Sequence, residues 1–386
     1  MPNPSLADVV TVIEGLYPPS LAADWDAVGL VCGDPSQPVR RILFAVDPVE
    51  VVVDEAVDKG VDLLVTHHPL FLRGTSSVAA TTAKGRSVHR LIRAGIGLHV
   101  AHTNADHARP GVSDALASAL GLIDTRPLEP LPALPLDKVV AFVPETDTEK
   151  LIDALSAAGA GELGDYSRCA WTTAGVGTFV PGAGAHPSVG AVGEVANVAE
   201  SRVEMVFARA ARHDVVSALR AAHPYEEPAF DVVELASWPG DVGTGRVGEL
   251  PVATTLGSFA AAVGAALPST AGGGRVAGDL ERVVRRVAVC GGAGAAYLRQ
   301  ASASGSDVFV TSDLRHHLVS EHLADGGCAV IDMPHWATEW PWLGDAADRV
   351  RAGLAGRGTT VSTDVSMVPT DPWVARVDAG ARKDPH

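Results

Sequence analysis

The chain has 386 residues, of which 47% are hydrophobic and 20% are charged, so it can bury large cores and its length suggests two or three domains. Its 30 basic and 46 acidic residues give a formal net charge of −16. This balance repels phosphate backbones, and because the sequence has no basic patch, it argues against nucleic-acid binding.

The cysteines and the amino terminus indicate a cytoplasmic protein. The four cysteines lie far apart, without the paired spacing of a metal-binding motif, which is typical of free thiols in a reducing compartment. The amino terminus lacks a basic start followed by an apolar stretch, and no apolar run approaches the roughly 18 residues of a membrane span. We therefore expect neither secretion nor membrane insertion.

Strands and helices alternate over residues 1–130. In chain order the pattern predicts a helix at 6–17, a strand at 41–46, a helix at 49–59, a strand ending at His67 and His68, a helix at 83–94, a strand at 97–103 and a helix at 112–120. Such alternation predicts a mostly parallel sheet with helices on both faces. This segment is expected to form the first half of an α/β core.

Residues 122–135 are rich in proline and predict a stiff connector that does not join a sheet. Beyond this boundary, residues 136–238 predict an inserted α+β domain of ferredoxin-like type. Its expected elements are a strand at 138–143, a helix at 147–158, a strand at 203–208, a helix at 213–222 and a strand at 229–235, with glycine-rich hairpins and loop at 161–193.

The first pattern resumes at residues 244–386, which we expect to form the second half of the core. Strands are predicted at 286–290 and 307–311. Aligning the halves by strand sets residues 62–68 against residues 307–313, a weak internal repeat. Two similar α/β halves, interrupted by the inserted domain, are therefore the predicted fold.

Four loops at the ends of equivalent strands carry the polar chemistry: residues 66–69, 101–106, 311–317 and 332–339. Their imidazoles and carboxylates suit zinc, iron, manganese or nickel. His67 and His68 diverge on one turn, which favours two ions about 3.5–4 Å apart with a bridging carboxylate. Glu339 follows His335 by four residues and shares its helix face, so it is the candidate bridge.

Several of these residues also have simpler interpretations. Asp106 could cap the helix that follows it, and Glu339 could only favour a helix amino terminus. His316 and His317 could contact substrate, support the ligands, or coat a helix surface. His102 could orient Asp106 or satisfy backbone groups in a tight turn.

Two further motifs remain open at this point. Residues 290–296 (Cys-Gly-Gly-Ala-Gly-Ala-Ala) follow a strand and could open a helix that cradles an anion, although close helix–sheet packing is the favoured explanation of the glycines. Residues 223–227 (His-Pro-Tyr-Glu-Glu) contain metal-ligand side chains, but a helix-to-strand turn explains them without a metal.

Five motifs occur in order: residues 25–30 (Trp-Asp-Ala-Val-Gly-Leu), 66–70 (Thr-His-His-Pro-Leu), 102–106 (His-Thr-Asn-Ala-Asp), 311–313 (Thr-Ser-Asp) and 335–339 (His-Trp-Ala-Thr-Glu). On these motifs the chain resembles the dinuclear-metal-centre family, called NGG-interacting-factor-three-like and often labelled GTP cyclohydrolase type 2 homologue. Residues 164–169, 177–182 and 223–228 resemble the domain that longer members insert. Ser312 and Pro334 stand where the family usually has glycine.

The resemblance implies two divalent metal ions per chain, held by five residues, with Glu339 touching both ions: His67, His68, Asp106, His335 and Glu339. It also implies a ring-like homohexamer built as a trimer of dimers. Which of zinc, iron, manganese or nickel is bound stays open, because these ligands accept several metals.

Two functional hypotheses follow. The first is a metal-dependent, cyclohydrolase-like hydrolase of a polar small molecule such as a nucleotide, with Asp313, His317 or His102 moving protons. The second is a metal-responsive binding, trafficking or scaffold protein without turnover, whose middle domain recognises a partner or a small ligand.

Overall fold

The computed structural model describes residues 3–377. The chain divides into two compact units: the first combines Met1–Leu131 with Asp241–His386, and the second is Pro132–Gly240. Within residues 3–377 no helix is both long enough and apolar enough to cross a membrane.

The first segment alternates strands with helices. Its elements are α1 (Leu6–Leu16), β1 (Gly29–Cys32), β2 (Arg41–Ala45), α2 (Glu50–Asp58), β3 (Leu63–Thr66), α3 (Ala83–Arg93), β4 (Gly97–Val100), α4 (Thr103–His107), α5 (Val112–Ala119) and β5 (Ile123–Pro132). The Ser5 hydroxyl accepts from the backbone N–H of Asp8, and the Asp8 carboxylate accepts from Ser5 in return, which fixes the start of α1.

The second unit has the element order β-α-β-β-α-β. Its elements are β6 (Leu136–Pro144), α6 (Thr148–Ala157), β7 (Trp171–Phe179), β8 (Ala196–Ala208), α7 (Arg212–Ala222) and β9 (Phe230–Glu234). The sheet order is β7-β8-β6-β9, and every neighbouring pair is antiparallel. Leu151 of α6 and Leu219 of α7 pack on Val139 and Phe207 of the sheet, so the two helices cover one sheet face.

The remaining segment of the first unit adds a second set of strands and helices. Its elements are β10 (Pro239–Thr255), α8 (Leu256–Ala266), β11 (Arg275–Ala277), β12 (Val283–Ala293), α9 (Leu298–Ala303), β13 (Val308–Ser312), α10 (His316–Ala324), β14 (Ala329–Asp332), α11 (His335–Gly356) and β15 (Ser362–Val365). The mixed α/β class predicted from the sequence is confirmed.

The first unit contains two sheets. One has the order β1-β4-β3-β2-β15, in which β15, β2, β3 and β4 run parallel and β1 is antiparallel. The other has the order β11-β14-β13-β12-β10-β5, in which β12, β13 and β14 run parallel. A single buried cluster includes Phe44 of β2, Val310 of β13 and Trp342 of α11. Helix α11 therefore packs against both sheets.

The prediction that residues 122–135 would not join a sheet is wrong. Residues Ile123–Pro132 form β5, which lies at the end of the second sheet, beside β10. An edge strand tolerates proline, because half of its backbone N–H groups point away from the sheet and are not needed for pairing. The proline-rich composition allows an edge strand, but the sequence alone does not show that an edge beside β10 is available to this segment.

A buried arginine ties the turn after α4 to the second sheet. Arg246 of β10 is fully buried, and its guanidinium donates to both carboxylate oxygens of Asp114, at 2.7 and 2.6 Å. It also donates to the carbonyl oxygens of Ala108, Gly243 and Gly245. The segment that carries Asp106 is thereby held in one position.

Candidate metal centre

The polar residues of the first unit gather at the carboxyl ends of its parallel strands. Strand β3 leads directly into His67 and His68, β4 leads to His102, and β14 leads to His335 at the start of α11. Strands β3 and β4 belong to one sheet and β14 to the other, and in each sheet this is the end of the strands at which open α/β folds place their ligands. Because α11 packs against both sheets, its first turn brings Glu339 to the same edge.

Four histidines of this edge share one arrangement, in which Nδ1 is held by an oxygen atom. The Nδ1 atoms of His67, His68, His102 and His335 lie 2.9, 2.7, 2.8 and 2.7 Å from oxygens of Ala101, Asp47, Asp26 and Asp313, respectively. A carbonyl or carboxylate oxygen only accepts, so each Nδ1 is the protonated donor. The free lone pair of each neutral ring is then on Nε2, as in metal-binding histidines.

The Nε2 atoms of three of these rings surround the Glu339 carboxylate. His335 Nε2 lies 2.9 Å and His67 Nε2 lies 3.5 Å from Oε1, whereas His68 Nε2 lies 3.1 Å from Oε2. The Nε2 atoms of His68 and His335 are 3.3 Å apart. Glu339 is only 3% exposed, so one buried carboxylate stands among three imidazoles.

The carboxylates of the site favour positive charge at its centre. Burial alone would lower the pKa values of His68 and His335, but Glu339 and the carboxylates behind the rings raise them to about 11 and about 9. Burial would likewise raise the pKa of Glu339, yet the three histidines hold it well below its usual value. Protons or a bound cation can supply the positive charge, and a metal competes with protons for these nitrogens.

Asp106 and His102 also lie close to His67. Asp106 Oδ1 lies 3.7 Å from His67 Nε2, and burial raises the pKa of Asp106. The His102 ring lies 5.1 Å from that of His67, measured between centroids. The Asp26 carboxylate, which orients His102, also accepts from the backbone N–H and hydroxyl of Thr103.

Of the remaining predicted residues, one contacts the site and two lie on an exposed helix. Asp313, at the end of β13, has a φ of +59° and binds His335 through its carboxylate, so it contacts a candidate ligand directly. His316 and His317 are exposed on α10, with ring centroids 5.1 Å apart, and neither belongs to the histidine–carboxylate groups among the described residues.

The glycine-rich segment after Cys290 serves the site by its small size. Gly291 and Gly292 still belong to β12, and the helix predicted after them begins as a 3-10 turn at Ala295–Tyr297 that continues into α9. A Cβ on Gly292 would lie 2.3 Å from Glu339 Oε1 and 3.1 Å from His335 Nε2. The backbone of β12 therefore approaches Glu339 more closely than any side chain would allow.

The residues present fit a metal ion. Two groups could hold one: His67, His68 and His102, and His68, His335 and Glu339. Within the described part of the chain, the buried atoms His67 Nε2 and Glu339 Oε2 make no hydrogen bond, which is costly for polar atoms without another partner. A divalent cation would satisfy both atoms, and nitrogen with oxygen donors is a set that zinc, iron, manganese and nickel accept.

A family model described as Duf34/NIF3 (NGG1p interacting factor 3) matches residues 4–372. The chain belongs to this family. A Mycobacterium leprae protein named "GTP cyclohydrolase 1 type 2 homolog" is 50% identical over 379 residues, which is 98% of this chain and 96% of that protein. A Bacillus subtilis protein of the same name is 38% identical over 329 residues, covering 85% of this chain and 87% of that protein.

Solved structures of NIF3-like proteins share the fold. A Bacillus cereus protein related to NIF3 is 36% identical with a TM-score of 0.75, and the match covers 97% of this chain and all of that one. The Staphylococcus aureus protein SA1388 is 28% identical with a TM-score of 0.83, covering 97% of this chain and 99% of that one.

Two aspartates of this NIF3-family chain were missed as site residues from the sequence. Asp47 lies two residues after β2 and orients His68, and Asp26 orients His102. The rule that locates polar groups at strand ends applies equally to Asp47 and could have found it. Asp26 stands within one of the family motifs, but it follows no predicted strand, so no local signal linked it to His102.

Beside His68 and His335 a cleft of about 620 Å³ opens to the surface. Trp373 and the guanidinium groups of Arg275 and Arg376 line it together with Asp47 and Asp313. Arg275 pairs with the Asp332 carboxylate. The cleft therefore offers charged groups of both signs and one large aromatic ring next to the candidate metal ligands.

Proposed function

We propose that this NIF3-family protein holds two divalent metal ions and acts as a metal-dependent hydrolase of a polar small molecule. The observation that carries the proposal is the Glu339 carboxylate, buried among His67, His68 and His335 with both of its oxygens facing imidazole nitrogens. A carboxylate in this position suits a bridge between two ions. We assign His67 and Asp106 to one ion, and His68 and His335 to the other.

The ions, when bound, would lower the pKa of a shared water toward neutrality and polarise the electrophilic atom of the substrate. The protein's own residues orient the metal-binding histidines and transfer protons. Asp47 and Asp313 fix the ring planes of His68 and His335 through their Nδ1–H groups. His102, whose Nδ1–H is held by Asp26, keeps Nε2 available to accept or return a proton.

The substrate class follows from the cleft. Trp373 offers a face on which a flat ring can stack, and metal ions held beside the cleft would attract an anionic group. A nucleotide combines a flat ring with anionic phosphates, and relatives of this family carry the name "GTP cyclohydrolase 1 type 2 homolog". GTP is therefore the first substrate to test. His317, exposed on α10, has no role in this proposal.

The experiment combines metal analysis with turnover. The full chain is purified without chelator, its metals are counted, and it is assayed against GTP and a panel of cyclic nucleotides, phosphoesters and amides. We expect two ions per chain and hydrolysis of at least one compound. His67→Ala and Glu339→Ala should lose metal and turnover, whereas Glu321→Ala, which removes an exposed glutamate of α10, should keep both. A fully loaded protein that hydrolyses nothing in the panel would refute the hydrolase.

Two finer assignments belong with this proposal. The β-α-β-β-α-β order of the second unit supports an inserted ferredoxin-like domain, and the family resemblance supports a homohexamer built as a trimer of dimers. Light scattering on the purified chain tests the assembly, since a mass near 39.7 kDa would mean a monomer.

A second candidate function is a metal-responsive binding or scaffold protein without turnover. It is favoured by the second unit, which has its own hydrophobic core and its own cavity. Tight, readily exchanged metal together with an absence of turnover would support this candidate. Turnover that depends on Glu339 but survives substitutions in the second unit would exclude it.

A further inference from the structure

The second unit contains a cavity of about 680 Å³, a size typical of small-molecule sites. Its floor is the sheet, and its walls are two loops, residues 181–189 and 225–229. The backbone N–H of His186 donates to Oε2 of Glu226 at 2.9 Å, which joins one loop to the other. The cavity is therefore bounded by the sheet and by two loops that a hydrogen bond joins.

The cavity lies on the sheet face that the helices do not cover. Val139, Ala141 and Val143 of β6 belong to the core beneath α6 and α7, so Phe142, between two of them, faces the opposite side. Arg202 of β8 is directly opposite Phe142 in the strand register, and its guanidinium lies 5.9 Å from the centre of the Phe142 ring. This open face is where the polar residues of the cavity are found.

A buried carboxylate stands at the wall of this cavity. Glu200 is 8% exposed, and its Oε1 accepts a hydrogen bond of 2.8 Å from the Tyr225 hydroxyl. Among the described residues, Oε2 accepts no hydrogen bond from the protein. A Cβ on Gly177 would lie 2.1 Å from that oxygen, so glycine leaves the space that the carboxylate occupies. Glu200 lines the cavity, so this oxygen can accept hydrogen bonds from a ligand bound there.

Tyr225 is fixed in place by its neighbours. His223 Nε2–H donates to the carbonyl of Phe142 at 2.8 Å, and its Nδ1 accepts from the backbone N–H of Tyr225 at 3.1 Å. The Phe179 ring packs edge-on against Tyr225, with centroids 5.7 Å apart. Burial, followed by the Glu200 carboxylate, raises the pKa of Tyr225, so its hydroxyl keeps its proton and donates to Glu200.

The lining selects a flat ligand that donates hydrogen bonds. Three aromatic rings, those of Phe142, Phe179 and Tyr225, and the strand glycines give mostly apolar walls. The charged groups are Glu200, Glu226, Glu227 and Arg202, so acidic groups outnumber basic ones. Anionic ligands are disfavoured by this balance, and a ligand that presents N–H groups to a carboxylate is favoured.

We propose that this cavity binds a flat nitrogen heterocycle with adjacent N–H donors, the edge that 2-aminopurines and pterins present, and that Glu200 receives this edge. The Oε2 atom and the second lone pair of Oε1 can accept two parallel N–H bonds. The aromatic walls cover the ring. The inference concerns the second unit alone and does not depend on the proposed hydrolase.

The test compares two nucleosides that differ by one amino group. Binding of guanosine and of inosine to the full chain is measured by titration calorimetry with the metal removed. Inosine lacks the 2-amino donor, so we expect it to bind at least about tenfold more weakly than guanosine, because a hydrogen bond to a charged group is lost. Glu200→Gln should abolish this preference, whereas Phe179→Ala should weaken both nucleosides alike.

Two controls assign the binding to this cavity. Glu162→Gln removes an exposed glutamate of the same unit and should change nothing, and Glu339→Ala disables the candidate metal centre and should leave guanosine binding intact. The proposal would be overturned if the two nucleosides bound equally well or if neither bound. An unchanged preference for guanosine in Glu200→Gln would also overturn it. Guanosine binding that disappears in Glu339→Ala and persists in Glu200→Gln would also overturn it, since the nucleoside would then occupy the other unit.

Discussion

The close approach of Gly292 to Glu339 allows metal binding to be tested without touching a ligand. In Gly292→Ala the new Cβ would lie 2.3 Å from Glu339 Oε1. The backbone of residue 292 has little freedom to move away, because its N–H donates to the Thr338 hydroxyl at 2.9 Å and its carbonyl accepts from Thr311 at 3.0 Å. The Glu339 carboxylate must therefore retreat.

The size of this shift sets the expected effect. Ordinary contacts of a Cβ begin at 3.4 Å, so Oε1 has to move by about 1.1 Å, the difference between 3.4 Å and 2.3 Å. Metal–ligand distances tolerate deviations of only about 0.2 Å, so the carboxylate oxygen leaves its coordinating position. We expect metal affinity to fall by a factor of about 100 or more, at or above the upper end of what the loss of a supporting contact usually costs.

Gly95→Ala is the matched control. Gly95 has a φ of +70°, close to the +67° of Gly292, and a Cβ there would meet nothing within 4 Å. Gly95→Ala should lose about 1–2 kcal/mol of unfolding free energy from the left-handed backbone, and Gly292→Ala should lose at least as much, measured by urea titration of the metal-free proteins. Only Gly292→Ala should lose metal in a competition titration against a chelator. Equal metal affinity in the two variants would refute the reasoning.

Three further predictions concern residues that support the site or the fold. Asp47→Asn removes the charge behind His68 and should weaken metal binding by about 10–100-fold, measured by chelator competition; unchanged affinity would mean that Asp47 has no part in the site. Arg246→Met leaves the Asp114 carboxylate and several carbonyls without their donor and should lower the free energy of unfolding by about 3–5 kcal/mol, measured with urea. A second substitution, Asp114→Asn, should recover part of that loss, because it removes the unpaired charge. The Arg212 guanidinium donates a hydrogen bond to Asp137 and lowers the pKa of that carboxyl. The ionised Asp137 carboxylate therefore stabilises the fold above its unfolded pKa of about 4, and this stabilisation is lost as the pH falls toward its pKa in the folded protein. The difference in urea midpoint between the wild type and Asp137→Asn should therefore shrink below about pH 4, and a constant difference would contradict this assignment.

The candidate ligands could be predicted because their signals are local. His67 and His68 end an apolar strand, and His335 with Glu339 opens a helix after another strand. The rule that ligand groups lie at the carboxyl ends of parallel strands locates each pair separately, because β3 and β14 belong to different sheets. The two pairs meet only because α11 packs against both sheets. The spacing of four between His335 and Glu339 was sufficient to put both on one face of α11.

Other features depend on contacts between distant segments and have no local signal. Strand β5 joins a sheet only because an edge beside β10 is available to a proline-rich segment. The importance of Gly292 arises from its distance to Glu339, which lies 47 residues further along the chain. Likewise, nothing near Glu200 in the sequence indicates that Tyr225 binds it across the second unit.

His68 and His335, whose Nε2 atoms lie 3.3 Å apart, are separated by 267 positions in the chain. A polypeptide leaving the ribosome displays His68 early, but the Glu339 carboxylate emerges only after the whole second unit and most of the remaining chain have been made. The histidine–glutamate group is thus absent from every nascent chain that stops before residue 339. Metal capture by that group would report that synthesis has passed this point and that the two sheets of the first unit have docked through α11.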